Sequence, residues 1–390
     1  MAKAPFYKIY TAEKETDITE FISNFRFEDV VDEDNLLELR CNRASIDFVD
    51  SSELEVGKEL VFFYGFIGGK QSAKRIAKIK DFDTTYTDSI QHVIKCTDQG
   101  FVLKKRTSII IYEEKTSSEI VAEIAQKFNF ETEIIDTTTK YTIPQGGKTY
   151  YNFIKYLATK EGLKFYVRDN KIYFINRDLA KESKRVFTYG DPNGTVNRFR
   201  PQVKQKDGSS NTVGAFGMDT DTNSLLKFFS NDDNTSESGL GKRFVNYDAN
   251  GNQLQVSDSD GGRHIVTPDN KQSEVKKKTE SIKNDAMLDT MEAELVIELD
   301  PDIETEEIIT IGGVAKKHEG NWYIKKVTNV ITGSGGVTTL DLKKNATNKT
   351  VSSQSGDVKK VNNTVGQKNP DQTTKVGLVY YDENGKEIKK

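Results

Sequence analysis

The stretch from Thr149 to Asn176, TYYNFIKYLATKEGLKFYVRDNKIYFIN, decides how the chain is read. Tyr150, Phe153, Ile154, Leu157 and Ala158 recur at the i, i+3, i+4, i+7, i+8 spacing of an amphipathic helix, and Gly162 stands where that helix stops. The pattern then changes to period two. Leu163, Phe165 and Val167 share one face, Asp169-Asn170 makes a tight turn, and Ile172, Phe174 and Asn176 begin the return strand. A helix docked on its own aromatic hairpin is a cohesive unit, and β-rich sequence of similar length lies on both sides of it. The unit therefore reads as the joint of a two-lobed protein.

The totals agree with this division. At 390 residues, 35% hydrophobic and 10% aromatic, the chain can form two or three domains with their own cores, and 16 Tyr with 21 Phe favour strands. A formal net charge of −4 excludes binding of nucleic acid through overall charge. The charge is uneven, with ten acids against four bases between Asp207 and Asn270. Cys41 and Cys96 are too few for a disulfide scaffold or a structural zinc site, and they read as small buried hydrophobes in a reducing compartment. MAKAPFYKIY lacks the apolar run of a signal peptide, and no apolar segment of about 18 residues occurs. Folding in the cytoplasm, with no membrane segment, is the expectation.

In the first lobe, Phe6, Ile9, Ile18, Phe21, Ile22, Phe25 and Phe27 mark short strands beside an acidic loop, Glu28 to Asp34. Val56-Gly57-Lys58 is a turn before a strand from Glu59 to Phe66, and Ile76 to Asp81 alternates with period two. Many short strands with little helix imply a small barrel or sandwich. The connecting region opens with Thr116 or Ser117 capping a helix whose apolar positions are Ile120, Val121, Ile124 and Phe128. A DNA-binding helix-turn-helix does not fit here, because the linker to the second helix is too long and that helix carries aromatic rather than basic residues.

The second lobe begins near Val186 and breaks off into a Gly-, Ser- and Asn-rich surface insertion or loop system, residues 207–270. A helix resumes around Glu274 to Glu292, with Val275, Ile282, Ala286, Leu288 and Met291 as its apolar positions, and hands on to a strand from Ala293 to Leu299. Trp322 to Thr332 is a long strand, and Gly333 to Gly336 is a hairpin loop before Val337 to Leu342. Both lobes thus contain a Gly turn, a long strand, a polar reversal and another strand, the pattern of a duplicated barrel. Beyond Asn345 the tail is linker-like and ends in GLVYYDENGKEI, a hairpin pattern. The expected fold class is α+β, mainly β. Residues 1–110 form a first barrel, 111–185 an α/β connecting domain, 186–345 a second barrel with the insertion 207–270, and 346–390 a linker and tail.

The sequence points to no catalytic, cofactor-binding or metal residue. His92, His264 and His318 lie far apart without metal-ligand spacing, and no nucleophile elbow, Walker loop or dinucleotide fingerprint occurs. Asp219-Thr220-Asp221-Thr222-Asn223 imitates the start of a calcium loop, but Ser224 and Ser230 occupy the glycine and bidentate-glutamate positions, so a solvated loop is the better reading. Carboxylate pairs such as Glu306-Glu307 and Asp232-Asp233 arise readily in a chain with 60 acids. Trp322 reads as a core or interface anchor. The chain is expected not to be an enzyme; a cell-wall-degrading enzyme would need a catalytic constellation, and a surface-binding adhesion module would need exposed aromatic platforms.

Two segments nevertheless resemble a family. GGVAKKHEGNWYIKKVTNVITGSGGVTTLDLKKN is similar to the closing segment of phage late-control protein D and related baseplate hub proteins of contractile tails, where a "G…G-x-W/Y-x-V-x-x-V-x-H" strand leads through a Gly/Ser loop into "T-x-L-x-L"; Asn329 stands where that pattern has His. FIKYLATKEGLKFYVRDNKIYF resembles the family's "F-L-x-x-L-A-x-x-x-G-x-x-F-x-V-x-D-x-x-L-x-F", and Gly100-Phe101 ends the first lobe as in that family. The resemblance spans most of Leu54 to Asn345. It implies two tube-like barrels joined by an α/β region and a homotrimer whose six barrels continue a six-fold tail tube while its true three-fold symmetry accepts a trimeric spike. It also implies partners: the tube protein or tube initiator, the spike, the tape measure and baseplate wedge proteins. The location implied is the virion tail baseplate or an equivalent injection particle, assembled in the host bacterial cytoplasm. Barrel strands would form a continuous ring wall with edges paired between subunits. Two readings of the Glu28 to Asp34 acids stay open: a lumen lining past which DNA or effector slides without specific binding, or a plain solvated loop.

Overall fold

The computed structural model describes residues 4–31, 33–192, 194–203, 212–219, 222–231, 239–240, 263–267, 271–289, 291–345, 380–381 and 387–388. The fold is α+β and mainly β. Six strands precede the joint: β1 (Pro5–Thr11), β2 (Asn24–Val30), β3 (Leu36–Cys41), β4 (Glu59–Phe66), β5 (Arg75–Tyr86) and β6 (Ile90–Thr97). Their order is β1-β4-β5-β6-β3-β2, and every neighbouring pair is antiparallel. Alternate residues face inward on each strand, such as Leu37, Leu39 and Cys41 on β3 and Leu60, Phe62 and Tyr64 on β4, and all six strands feed one core. A six-stranded sheet can do this only by curling, which gives the half its barrel form. A short helix, α1 (Ile46–Val49), adds Phe48 to the same core.

The joint has its own core. After α2 (Phe101–Lys105) come β7 (Ile111–Thr116), α3 (Ser117–Lys127), β8 (Glu131–Ile134), β9 (Lys140–Pro144), α4 (Tyr150–Glu161), β10 (Lys164–Arg168) and β11 (Lys171–Ile175). Thr116 caps α3 in a capping box with Glu119, each accepting a hydrogen bond from the other's backbone N–H. Thr149 caps α4, and Gly162 ends it at φ +74°, a conformation costly for any residue with a Cβ. Phe153, Ile154, Leu157, Phe165, Val167, Ile172 and Phe174 are buried together, as the helix and hairpin periods require. On the hairpin's other face Tyr166 and Tyr173 stack with ring centroids 4.6 Å apart.

The second half is built from β12 (Arg185–Thr188), β13 (Val196–Val203), a segment inserted before the next sheet strand, and then β17 (Met291–Glu298), β18 (Ile308–Gly312), β19 (Gly320–Thr332) and β20 (Gly335–Lys344). The insertion carries β14 (Thr212–Asp219), β15 (Ser224–Asn231), β16 (Arg263–Val266) and α5 (Gln272–Leu288). Read from β12, the sheet order is β12-β18-β19-β20-β17-β13. Taking the six strands of each half in chain order, this is the same order as β1-β4-β5-β6-β3-β2. One pair differs in direction, since β12 and β18 run parallel. The detail repeats too. β5 bulges between Ile79 and Asp81 against β6, and β19 bulges between Ile324 and Lys326 against β20. A residue of positive φ stands two positions before β4 and before β18, Gly57 at +97° and Glu306 at +68°. Its N–H donates to the carbonyl of the residue before the bulge, 2.8 Å to Ile79 and 3.1 Å to Ile324. Those residues donate back to Lys58 and Glu307, at 2.8 and 3.0 Å. The halves are therefore structural repeats, although their sequences share little.

The repeats are welded into one 12-stranded sheet by β2 and β19, antiparallel from Asn24↔Thr332 to Val30↔Lys326. The joint of the sequence reading is thus accompanied by direct sheet pairing. Three expectations are corrected. The insertion is not only loop: β15-β14-β16 forms a separate sheet, packed on α5, whose Gly and Ser content hid the alternation of Val213 and Ala215. The helix there is Gln272–Leu288, and Met291 already belongs to β17, where it enters the second core. Residues 28–30 lie in β2 rather than in a loop. Of the tail, β21 (Tyr380–Tyr381) and β22 (Glu387–Ile388) pair antiparallel, and the expected linker lies outside the described residues.

At the end of β6, Asp98 fastens the β2–β3 turn. Its carboxylate accepts from the backbone N–H of Asn35 at 3.0 Å and of Gly100 at 2.9 Å. Burial pushes this carboxyl up to about 7, against those two bonds. A folded-state value above the ordinary 3.8 means that the folded protein holds the proton longer. The group's contribution is full below about pH 4 and is lost as pH rises towards 7. A carboxyl-detected NMR titration should give Asp98 a midpoint near 7; a midpoint near 4 would contradict this.

Candidate functional site

The halves and the joint converge on one cluster of charges. Arg168, at the tip of the β10–β11 hairpin, lies 3.5 Å from Asp29 of β2 and 3.2 Å from Glu304, in the loop before β18, and donates to the Thr305 carbonyl at 3.2 Å and to its hydroxyl. Thr305 in turn donates to Asp29 from its N–H at 3.3 Å and its hydroxyl at 3.1 Å. Arg75 of β5 reaches Glu304 at 3.0 Å and lies over the Phe27 ring at 5.1 Å. Burial opposes the charge on Arg168, but Asp29 and Glu304 outweigh it and hold the guanidinium above the ordinary arginine range. Such a cluster adds little net stability compared with apolar packing, and it ties β2, the loop before β18 and the β10–β11 hairpin to one another.

The β2–β19 seam beside it is polar at its centre. Asn329 donates to the Tyr64 hydroxyl at 2.8 Å, across the halves, and accepts from Thr338 at 2.6 Å. The position that departs from the His of the family pattern thus holds a buried amide satisfied by both halves. Thr84 and His92 form the corresponding cross-strand pair in the first half, 2.9 Å apart. At the seam's surface, burial works against Glu28, but Lys326 and Arg26 outweigh it and hold its carboxyl below the ordinary range. Glu28 and Asp29 are therefore buried in ion pairs, and Asp34 bonds Lys104 at 2.9 Å; these acids do not form the open acidic loop expected of residues 28–34.

The residues weighed for chemistry are not brought together. His92 lies in β6 with its pKa lowered by burial, His264 in β16 against Phe216 and Phe229, and His318 before β19, where its carbonyl accepts from the Trp322 indole at 2.9 Å. Trp322 is fully buried in the second core. Cys41 and Cys96 are buried, and burial pushes the Cys41 thiol up to about 12. Asp219 accepts from the Thr222 N–H at 3.1 Å within the β14–β15 hairpin; residues 220–221 lie outside the described residues. Among the described residues no group of three or more His, Cys, Asp or Glu is disposed to hold a metal, and no helix is long and apolar enough to cross a membrane. Sequence reading missed Arg168 and Asp29 as partners. The available signal was an arginine at a tight hairpin tip, with only the Tyr166 ring as a local neighbour for its charge.

Residues 42–333 match the family model described as the Alg8 N-terminal domain. The chain belongs to the Alg8 N-terminal domain family. That description differs from late-control protein D, which the motifs resemble. No curated protein matches the chain in sequence. Among solved structures, this Alg8 N-terminal domain chain is similar to the tail protein of Neisseria meningitidis MC58, with TM-score 0.65, 11% identity, and coverage of 87% of this chain and 97% of that one. The 43 kDa tail protein of prophage MuSo2 from Shewanella oneidensis gives 0.62, 10%, 88% and 99%. A chain of the Francisella PdpA-VgrG complex gives 0.53, 13%, 88% and 53%. At these identities the likeness is one of fold.

Arg168→Ala should lower unfolding stability by about 3 kcal/mol, because it leaves Asp29 buried without its cation. Denaturant unfolding measures this, and a loss below about 1 kcal/mol would place Arg168 among ordinary surface pairs.

Proposed function

We propose that this protein is a structural baseplate hub of a contractile tail or related injection particle. Three copies form a pseudo-six-fold ring that adapts a six-fold tail tube to a trimeric spike. The observation that carries this reading is the repeated strand order of the two halves on one continuous sheet. A chain holding two equivalent wall segments gives six from three copies, while the differing loops keep the true symmetry three-fold. Residues 1–110 and 186–345 are the wall pieces, and 111–185 the buttress that fixes their angle through Arg168. The shared fold of tail proteins from two bacterial sources, and of a chain in a VgrG-containing complex, supports a place at the tail end of such a particle, beside a spike. The role is structural rather than enzymatic, because the ring works through placement alone.

Light scattering on the purified chain should give three times its 44.0 kDa mass. A monodisperse monomer at every concentration would contradict the proposal.

A further inference from the structure

The internal repeat makes a prediction about the two sheet edges that the single chain leaves open. Within the chain, β2 of the first half pairs with the far part of β19 of the second, Lys326–Thr332. The counterpart of β2 is β13, and it ends the sheet path. The counterpart of that part of β19 is the far part of β5. β4 pairs with β5 only from Arg75 to Lys78, so among the described residues the edge beyond Asp81 is open. Each chain therefore carries both sides of a second seam, and they lie at opposite ends of the sheet.

The side chains at the open edge bear the mark of a missing partner. Val327 and Ile331, beside β2, are 0% and 2% exposed, whereas their counterparts Phe82 and Tyr86 on β5 are 41% and 67% exposed. Large apolar residues on a bare strand edge are a liability unless another strand covers them. The charges are complementary as well. β5 presents Asp81 and Asp83, which share Lys95 of β6, and β13 presents Arg198, paired with Glu294 of β17, and Arg200. In the internal seam the acid is instead Glu28 on β2, and the base Lys326 on β19.

We propose that β13 of one copy pairs antiparallel with Asp81–Tyr86 of β5 in the next copy, in the register of the internal β2–β19 seam. The alignment of the halves sets Tyr86 opposite Phe199, Thr85 opposite Arg200, Thr84 opposite Pro201 and Phe82 opposite Val203. Pro201 stands in the place of Phe27 and offers a carbonyl but no N–H, so this seam has one donor fewer than the internal one. A proline on an outer edge also discourages indiscriminate strand addition. The number of copies in the ring rests on the hub reading, but the pairing rests on the internal seam alone.

A disulfide tests the register. Val31 donates to Lys325 in the internal ladder, which makes Arg26↔Val330 a non-hydrogen-bonded pair, and Thr85↔Arg200 is its counterpart. Both Thr85 and Arg200 are exposed, and the native cysteines are buried. The full chain carrying Thr85→Cys and Arg200→Cys should give, on mild oxidation, covalent species of up to three chains on denaturing gels. Thr85→Cys with Pro201→Cys, which points the second thiol to the opposite face, should give none. A trimer by light scattering without the covalent link overturns the seam and leaves the hub reading standing. Linked species running beyond three copies uphold the seam and overturn the ring of three. Unlinked monomer throughout overturns both.

Discussion

The antiparallel seam between β2 and β19 is the constraint on which the rest of the structure depends. It joins two curled sheets, each with its own core, into one continuous 12-stranded sheet. Its centre is polar, with the Tyr64–Asn329–Thr338 chain satisfied from both halves, so a slip by one residue would bury an unpaired amide and turn Ile331 and Phe25 to solvent. Beside it the Arg168 cluster ties the α/β joint to both halves. Apolar packing holds each half together and also joins them, with Leu299 and Ile331 entering the first core, and the polar contacts at the seam add to how the halves sit.

The repeat also explains where the chain tolerates elaboration. In the first half β2 turns into β3 within a few residues, pinned by Asp98 and Asn35. The same connection in the second half opens into the insertion, with α5 laid back against α4 through Lys160–Glu274 and Lys277–Glu161, both at 3.1 Å. An insertion at a hairpin end leaves the strand order and the seam untouched, and loop closure there costs little.

Much of this was legible in the sequence where local physics governs. The α4–hairpin unit follows from apolar period and a helix-ending glycine, and α3 from its capping box. The duplication was visible as a recurring turn, strand, reversal and strand, although the evidence for it is tertiary: a bulge and a left-handed residue in matching places, Gly57 in one half and Glu306 in the other. What stayed hidden depends on distant pairing. Glu28 and Asp29 read as loop acids because their partners, Lys326 and Arg168, are far along the chain. The insertion's sheet was masked by glycine and serine in strands that pack small residues against Phe229 and α5, and Met291 was drawn into the helix because apolar residues continue across its end.

The central claim is that two repeats of one polypeptide act as near-equivalent segments of a ring wall. Electron-microscopy class averages of the purified oligomer, viewed down its axis, test this most directly. The account predicts three-fold averages in which six wall segments lie at one radius and are nearly equal at low resolution. Two-fold averages, or averages in which the two halves lie at different radii, would contradict it.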